Sequence, residues 1–148
     1  MGVIPTLSTT TFDSALADSG HYFDMEFRGL RDAQEAVERG LPFRGFDELR
    51  RTLAISTAEL ASALGIPGTT LARRRKEGQL NADESERLLR LARLVEMGRA
   101  VLAPEGLAPW FSRRHPALDT RPLECARNEL AARRLETLLG RLADGGPA

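Results

Sequence analysis

An all-α fold is what this sequence predicts, and three observations predict it. Leu, Ala, Arg and Glu dominate the composition while aromatics make up 5% of it, a balance that suits helices and disfavours β-sandwiches. Apolar residues recur at three- and four-residue spacing through most of the chain after residue 30. Glycines and prolines fall between these periodic runs, where helices stop and turns begin. The 148 residues suffice for one domain or two small helical ones, with a core that needs no staples.

The elements follow in order. Up to about Gly29 the chain is rich in Ser, Thr and Asp, and only "HYFDMEF" alternates weakly. An arm or short extended segment is expected there, with Tyr22 and Phe23 as anchors. "LRDAQEAVERG" predicts a helix from Leu30, with Ala33, Ala36 and Val37 on one side and Gly40 past its end. In "LPFRGFDELRRTLAIS" the apolar Phe46, Leu49 and Leu53 sit at helical spacing, and a break is expected at Ile55-Ser56. Ser56 and Glu59 have the spacing of a capping box opening "TAELASALG". Leu60, Ala61 and Leu64 point inward, Gly65 makes a turn, Ile66 plugs it, and Pro67 opens the next helix. That helix, "GTTLARRRKEG", ends at Gly78. "NADESERLLRLARLVEMGRAV" is a long amphipathic helix with Leu88, Leu91, Ala92 and Val95 as its stripe and a Glu86–Arg90 pair outside. Prolines 104, 109, 116 and 122 punctuate the remainder into short helices. "NELAARRLETLLGRLADG" closes the pattern with Leu135, Leu138, Leu139 and Leu142 inward, ahead of a glycine-rich tail.

Charge is unevenly spread beneath a formal net of zero. Residues 1–41 hold three arginines against seven acids, and residues 42–101 hold eleven basic residues against eight acids. No apolar run reaches the length of a membrane span, and the N-terminus lacks the basic and apolar regions of a secretory signal. A cytoplasmic protein is therefore expected. The single cysteine, Cys125, excludes an internal disulfide, and two histidines cannot complete a zinc site with it. His21 and His115 have no catalytic companions and there is no glycine-rich phosphate loop, so neither an enzyme nor a cofactor or metal site is expected.

Residues Ser56 to Lys76 have the order of a helix-turn-helix, with Ala61, Ile66 and Leu71 spaced to seal two short helices. In that motif the second helix enters the major groove and presents its front residues to base edges. The candidate DNA contacts are Gly68, Thr69, Thr70, Arg73 and Arg74. A threonine can bond base or phosphate, and an arginine can grip guanine through O6 and N7. Arg74, Arg75 and Lys76 sweep around the helix, so they cannot all face DNA, and basic residues also complement its C-terminal dipole.

Wider likeness rests on "GLP" at 40–42, "LAISTAELASALGIPGTTLARRRKEGQL" at 53–80 and "ESERLLRLARL" at 84–94. It continues in Trp110, "PAL" at 116–118, "RPLE" at 121–124 and "ARRLETLLGRL" at 132–142. On these segments the chain resembles the Xre-type antitoxins, the Xre/MbcA/ParS-like partners of RES-domain toxins. The residues themselves give an N-terminal arm and short helix over 1–40, and the resemblance, which begins at about Gly40, implies an Xre-like helix-turn-helix bundle over 41–101 and a small helical toxin-binding domain over 102–148. It implies a RES-domain, NAD-degrading toxin as partner and operator DNA as a second partner; a homodimer is expected because operator-binding helix-turn-helix proteins usually read paired half-sites. Toxin binding would fall to Arg134, Arg141 and the tail Asp144, Gly145, Gly146, Pro147 and Ala148, which would occlude the toxin's active site. The alternative is a free-standing transcriptional regulator whose C-terminal helices only dimerise. Departures from the family pattern are Pro109 beside Trp110, where a helix is expected to shorten or begin at Pro109, and Asp119-Thr120 where glycine is usual. A glycine is also missing before the final helix, and Trp110 is expected to be a core anchor.

Overall fold

Across residues 21–22 and 25–146, which a computed structural model describes, a small hairpin leads into seven α-helices and one 3-10 helix. Strand β1 (His21–Tyr22) pairs antiparallel with β2 (Met25–Glu26), which gives the weak alternation of "HYFDMEF" its extended form. Phe23 lies outside the described residues. Phe27, only 2% exposed, joins the core at this end, and the expected anchoring by the Tyr22 side chain also lies outside the described residues.

Helix α1 (Leu30–Arg39) buries Ala33 and packs Ala36 and Val37 against the core. It stops at Gly40, whose φ of 102° is a region that favours glycine. The reason for this glycine is a close approach, because a Cβ there would lie 2.2 Å from the carbonyl oxygen of Leu80. The next residues pair with the segment that follows the fourth helix. Leu80 N–H donates to Leu41 O at 2.9 Å, and Phe43 N–H donates to Gly78 O at 2.9 Å. Leu41 N–H donates to the Oγ of fully buried Ser85 at 2.8 Å. "GLP" is thus a clasp between distant parts of the chain.

Helix α2 (Phe43–Thr52) buries Phe46 and Leu49, with Leu53 sealing its end. The break arrives at Ala54, a left-handed residue with φ 53°, just ahead of the expected Ile55-Ser56. Helices α3 (Thr57–Ala63) and α4 (Gly68–Glu77) follow, and then α5 (Ala82–Val101) runs through the middle of the molecule. Its expected stripe is fully buried, but so is Leu94, and Leu89 nearly so. One apolar face is not enough because α5 packs against α1 as well as against the C-terminal helices.

Helix α6 (Pro104–Ser112) runs through Pro109 rather than starting or shortening there. The proline gives up its bond to the carbonyl four residues back. Packing compensates: Phe111 is fully buried against Gly98 of α5, where a Cβ would meet the Phe111 ring at 2.8 Å. Trp110, expected in the core, is half-buried and meets Phe111 edge-on and the His115 ring on its outer side. Asp119 takes φ 58° where the family usually has glycine, a conformation aspartate tolerates better than most residues. A 3-10 helix (Pro122–Arg127) leads to α7 (Glu129–Ala143), whose N-terminus is capped by Asn128 accepting from Ala131 N–H at 2.8 Å. This cap stands in for the missing glycine. One continuous cluster of buried side chains, from Phe27 to Leu139, joins all these helices.

Candidate functional site

The local chemistry of the helix-turn-helix is legible atom by atom. Ser56 Oγ accepts from Glu59 N–H at 3.1 Å and caps α3. The Glu59 carboxylate faces Arg121 at 3.8 Å, and the full reciprocal box forms instead between Asn81 and Glu84 at the start of α5. After α3, Gly65 is left-handed at φ 69°, its N–H donates to Ser62 O, and Ile66 N–H donates to Ala61 O at 2.8 Å. These paired bonds are the Schellman closure, with Ile66 tucked inside. Pro67 precedes the first turn of α4, one place earlier than expected, and accepts from Leu71 N–H through its carbonyl. No side chain caps α4, whose first residues Gly68 and Thr69 are exposed and whose Thr70 is half-buried.

The basic run on α4 divides into separate jobs. Arg73 and Lys76 are exposed and share a face with Thr69 and Ala72, three and four residues apart. Arg73 pairs with Glu77 at 3.6 Å, largely in solvent. Arg74 turns the other way: its Nε donates to Glu84 at 2.7 Å, and its side chain is 14% exposed. Arg75 lies sideways on α2, 3.4 Å from Asp47 and 4.7 Å above the Phe43 ring. Among the expected DNA contacts, the structure therefore groups Gly68, Thr69 and Arg73 at the open front of α4, with Thr70 beside them. It removes Arg74 to an internal ion pair. Lys76, outside the expected contacts, is exposed and lies seven residues from Thr69 on the same face.

Glu84 is one of two buried polar side chains among the described residues, with Ser85. Burial pushes its carboxyl up, yet the Arg74 guanidinium, the Asn81 amide and the Arg87 charge outweigh this and hold it below the ordinary carboxylate range. Arg74 is correspondingly raised by its hydrogen bond to Glu84. Sequence gave no signal for this pair beyond the "NADE" spacing, because its partners sit on either side of the Gly78 turn.

A second set of arginines ties the C-terminal half to α3. Arg127, from the 3-10 helix, donates to Ser62 O at 2.6 Å, and Arg87 donates to Leu64 O at 2.7 Å. Both acceptors are carbonyls at the end of α3: Leu64 O lies past the helical ladder, and Ser62 O, which already accepts from Gly65 N–H, takes the arginine on its second lone pair. Arg90, expected outside, is 14% exposed, pairing with Glu86 and donating to Ala126 O. These three arginines line a polar cleft of about 180 Å³. Their bonds to main-chain carbonyls make it a joint between helices.

On the far side, α7 buries Leu135, Leu138 and Leu139, with Leu142 partly buried. Arg134 and Arg141 are exposed, and Arg134 donates to Ala117 O at 2.9 Å. The tail begins as a built cap rather than as loose chain. Gly145, at φ 85°, donates to Leu142 O, and Gly146 donates to Arg141 O at 2.8 Å, again a Schellman closure beyond Asp144. Pro147 and Ala148 lie outside the described residues.

Two comparisons with family models bear on this arrangement. A model described as the antitoxin Xre-like helix-turn-helix domain matches residues 32–93, and one described as the antitoxin Xre/MbcA/ParS C-terminal toxin-binding domain matches residues 97–145. The chain belongs to the Xre-type antitoxins. No curated protein matches its sequence. The two matches meet inside α5, so this antitoxin carries its motif and its toxin-binding helices on one uninterrupted helix. The first match also begins within α1, a helix that packs on α5. Among the described residues of the antitoxin, no group of three His, Cys, Asp or Glu could hold a metal ion, and no helix is long and apolar enough to cross a membrane. Cys125 is buried, and desolvation pushes its thiol up to about 11, which leaves it a poor nucleophile.

Proposed function

We propose that this antitoxin neutralises a RES-domain, NAD-degrading toxin by covering its active site, and that its helix-turn-helix binds the operator of its own operon. The observation that carries the reading is the tandem order of the two matched domains on one shared core. A toxin held by the C-terminal helices is thereby fixed relative to α4.

For DNA, the supporting feature is the uncapped, exposed front of α4. Its free amide groups and dipole favour phosphate or a base edge. Thr69 and Arg73 would read bases, with Gly68 permitting close approach and Thr70 and Lys76 meeting phosphates. A homodimer would place two such helices on paired half-sites. For the toxin, Arg134, Arg141 and the segment from Asp144 to Ala148 would form the contact. The Schellman cap gives the last residues a fixed exit point at Gly146.

Co-expression tests the first half. The chain should co-purify with the RES-domain product of an adjacent reading frame and restore growth to cells making it. Neither co-purification nor rescue would refute the toxin reading. A gel shift on the operon's own promoter tests the second half, and absence of a shift at low salt would refute operator binding.

A further inference from the structure

The outward face of α7 carries a feature that none of the assigned contacts uses. Leu130 is 76% exposed, and the other exposed large apolar residue among those described, Leu30, is on α1. On the wheel of α7, Leu130 lies about 180° from Leu139 and about 140° from Leu135, though nearer Leu138 at about 80°. Arg133 and Arg134 flank it, and Thr137 and Arg141 continue the same face at seven and eleven residues. Arg134 is held in place by the Ala117 carbonyl, which lowers the cost of fixing it in a contact. An apolar tip framed by guanidinium groups, one of them already oriented, has the form of an interface anchor.

We propose that Leu130 enters an apolar socket on the toxin whose rim carries carboxylates facing Arg134 and Arg141. This rests on the toxin-binding reading above and names the chemistry of that surface. From the helical rise, the two carboxylate positions lie about 6 Å and about 16 Å along α7 from the socket. The toxin is the occupant because Leu130, Arg134 and Arg141 all lie within residues 97–145, which match the antitoxin C-terminal toxin-binding domain.

The test compares the full-length chain with Leu130→Asp and Leu130→Met, each titrated against the RES-domain product of the adjacent reading frame. Position 130 lies in the first turn of α7, where an acidic residue suits the helix dipole, so Leu130→Asp should melt like the parent. Its toxin affinity should fall about ten- to hundred-fold, the loss expected when a buried leucine contact is removed. Leu130→Met should stay within about threefold. The double variant Arg134→Glu, Arg141→Glu should bind more weakly, and more so at low salt than at high. Binding by Leu130→Asp within about twofold of a parent that captures the toxin overturns this proposal alone. A parent that captures no toxin overturns the underlying reading and this proposal together. Conversion of a dimer to a monomer by Leu130→Asp, with toxin affinity unchanged, would make the occupant a second copy and overturn it as well.

Discussion

Replacing Gly40 by alanine should be far more damaging than its size implies. The added methyl would stand 2.2 Å from Leu80 O, whereas Cβ atoms essentially never come within 3.0 Å of a neighbour. Leu80 O is main chain and cannot rotate away, so the two segments must part by roughly an ångström. That movement strains Leu80 N–H to Leu41 O, Phe43 N–H to Gly78 O and Leu41 N–H to Ser85 Oγ. Each such bond is worth about 0.5–1.5 kcal/mol net. Alanine at φ 102° adds about 1–3 kcal/mol of backbone strain. If all three bonds are lost the sum is about 2.5–7.5 kcal/mol against a total stability of about 5–15 kcal/mol. In a urea titration with a slope of about 2 kcal/mol/M, the midpoint should fall by about 1–4 M. Gly68→Ala is the control. Its Cβ would meet nothing within 4 Å, so its midpoint should match or slightly exceed the parent's. Equal midpoints for Gly40→Ala and the parent would refute the clasp.

Other consequences follow from the divided roles of the charged groups. Arg73→Ala should weaken operator binding in gel shifts and reduce the salt slope by about one unit with melting unchanged, whereas Arg74→Ala should lower the melting temperature by stranding Glu84. The reverse pattern would put Arg74, not Arg73, on the DNA. Glu84 titrates below its ordinary 4.5 in the folded chain, so the unfolded chain takes up its proton first as pH falls. Its contribution is complete at neutral pH and drains below about pH 4.5; stability measured from pH 7 down to 3 should therefore fall more steeply for the parent than for Glu84→Gln, and parallel curves would refute the assignment. Truncation after Gly146 keeps the cap on α7, so it should leave melting unchanged while weakening toxin neutralisation, and full protection by the truncated chain would sink the tail contact.

The parts of this fold that could be read from sequence are those whose causes are local. The Ser56 cap, the Gly65 turn, the Ile66 plug and the apolar spacing of α2, α5 and α7 each depend on residues within a turn or two of one another. The parts that could not be read depend on partners brought together by folding. Arg74 finds Glu84 across the Gly78 turn, Arg75 finds Asp47 on α2, and Arg127 finds Ser62 from the other matched domain. The width of the buried stripe on α5 was hidden for the same reason. Only the docking of helices on two sides turns Leu89 and Leu94 from flank into core. "GLP" was recognisable as a family segment, but its cause, the close passage of Gly40 over Leu80, is a tertiary fact.

These long-range pairs also bear on how the two functions share one chain. Arg127 and Arg121 reach α3 from the 3-10 helix, and that helix packs on α6 and α7 as well as on α5. The first helix of the helix-turn-helix therefore contacts groups supplied by the domain matched as toxin-binding. A toxin that shifts the 3-10 helix must disturb the carbonyl of Ser62, and a toxin that leaves it in place holds α3 still. Arg127 donates from its side chain to Ser62 O at the end of α3, just ahead of the turn into α4, and no flexible linker separates the two matched domains. The basic run on α4 fits this economy. Arg74 and Arg75 spend their charge holding the recognition helix against α5 and α2, which leaves Arg73 and Lys76 to face outward from a helix that is rigidly mounted.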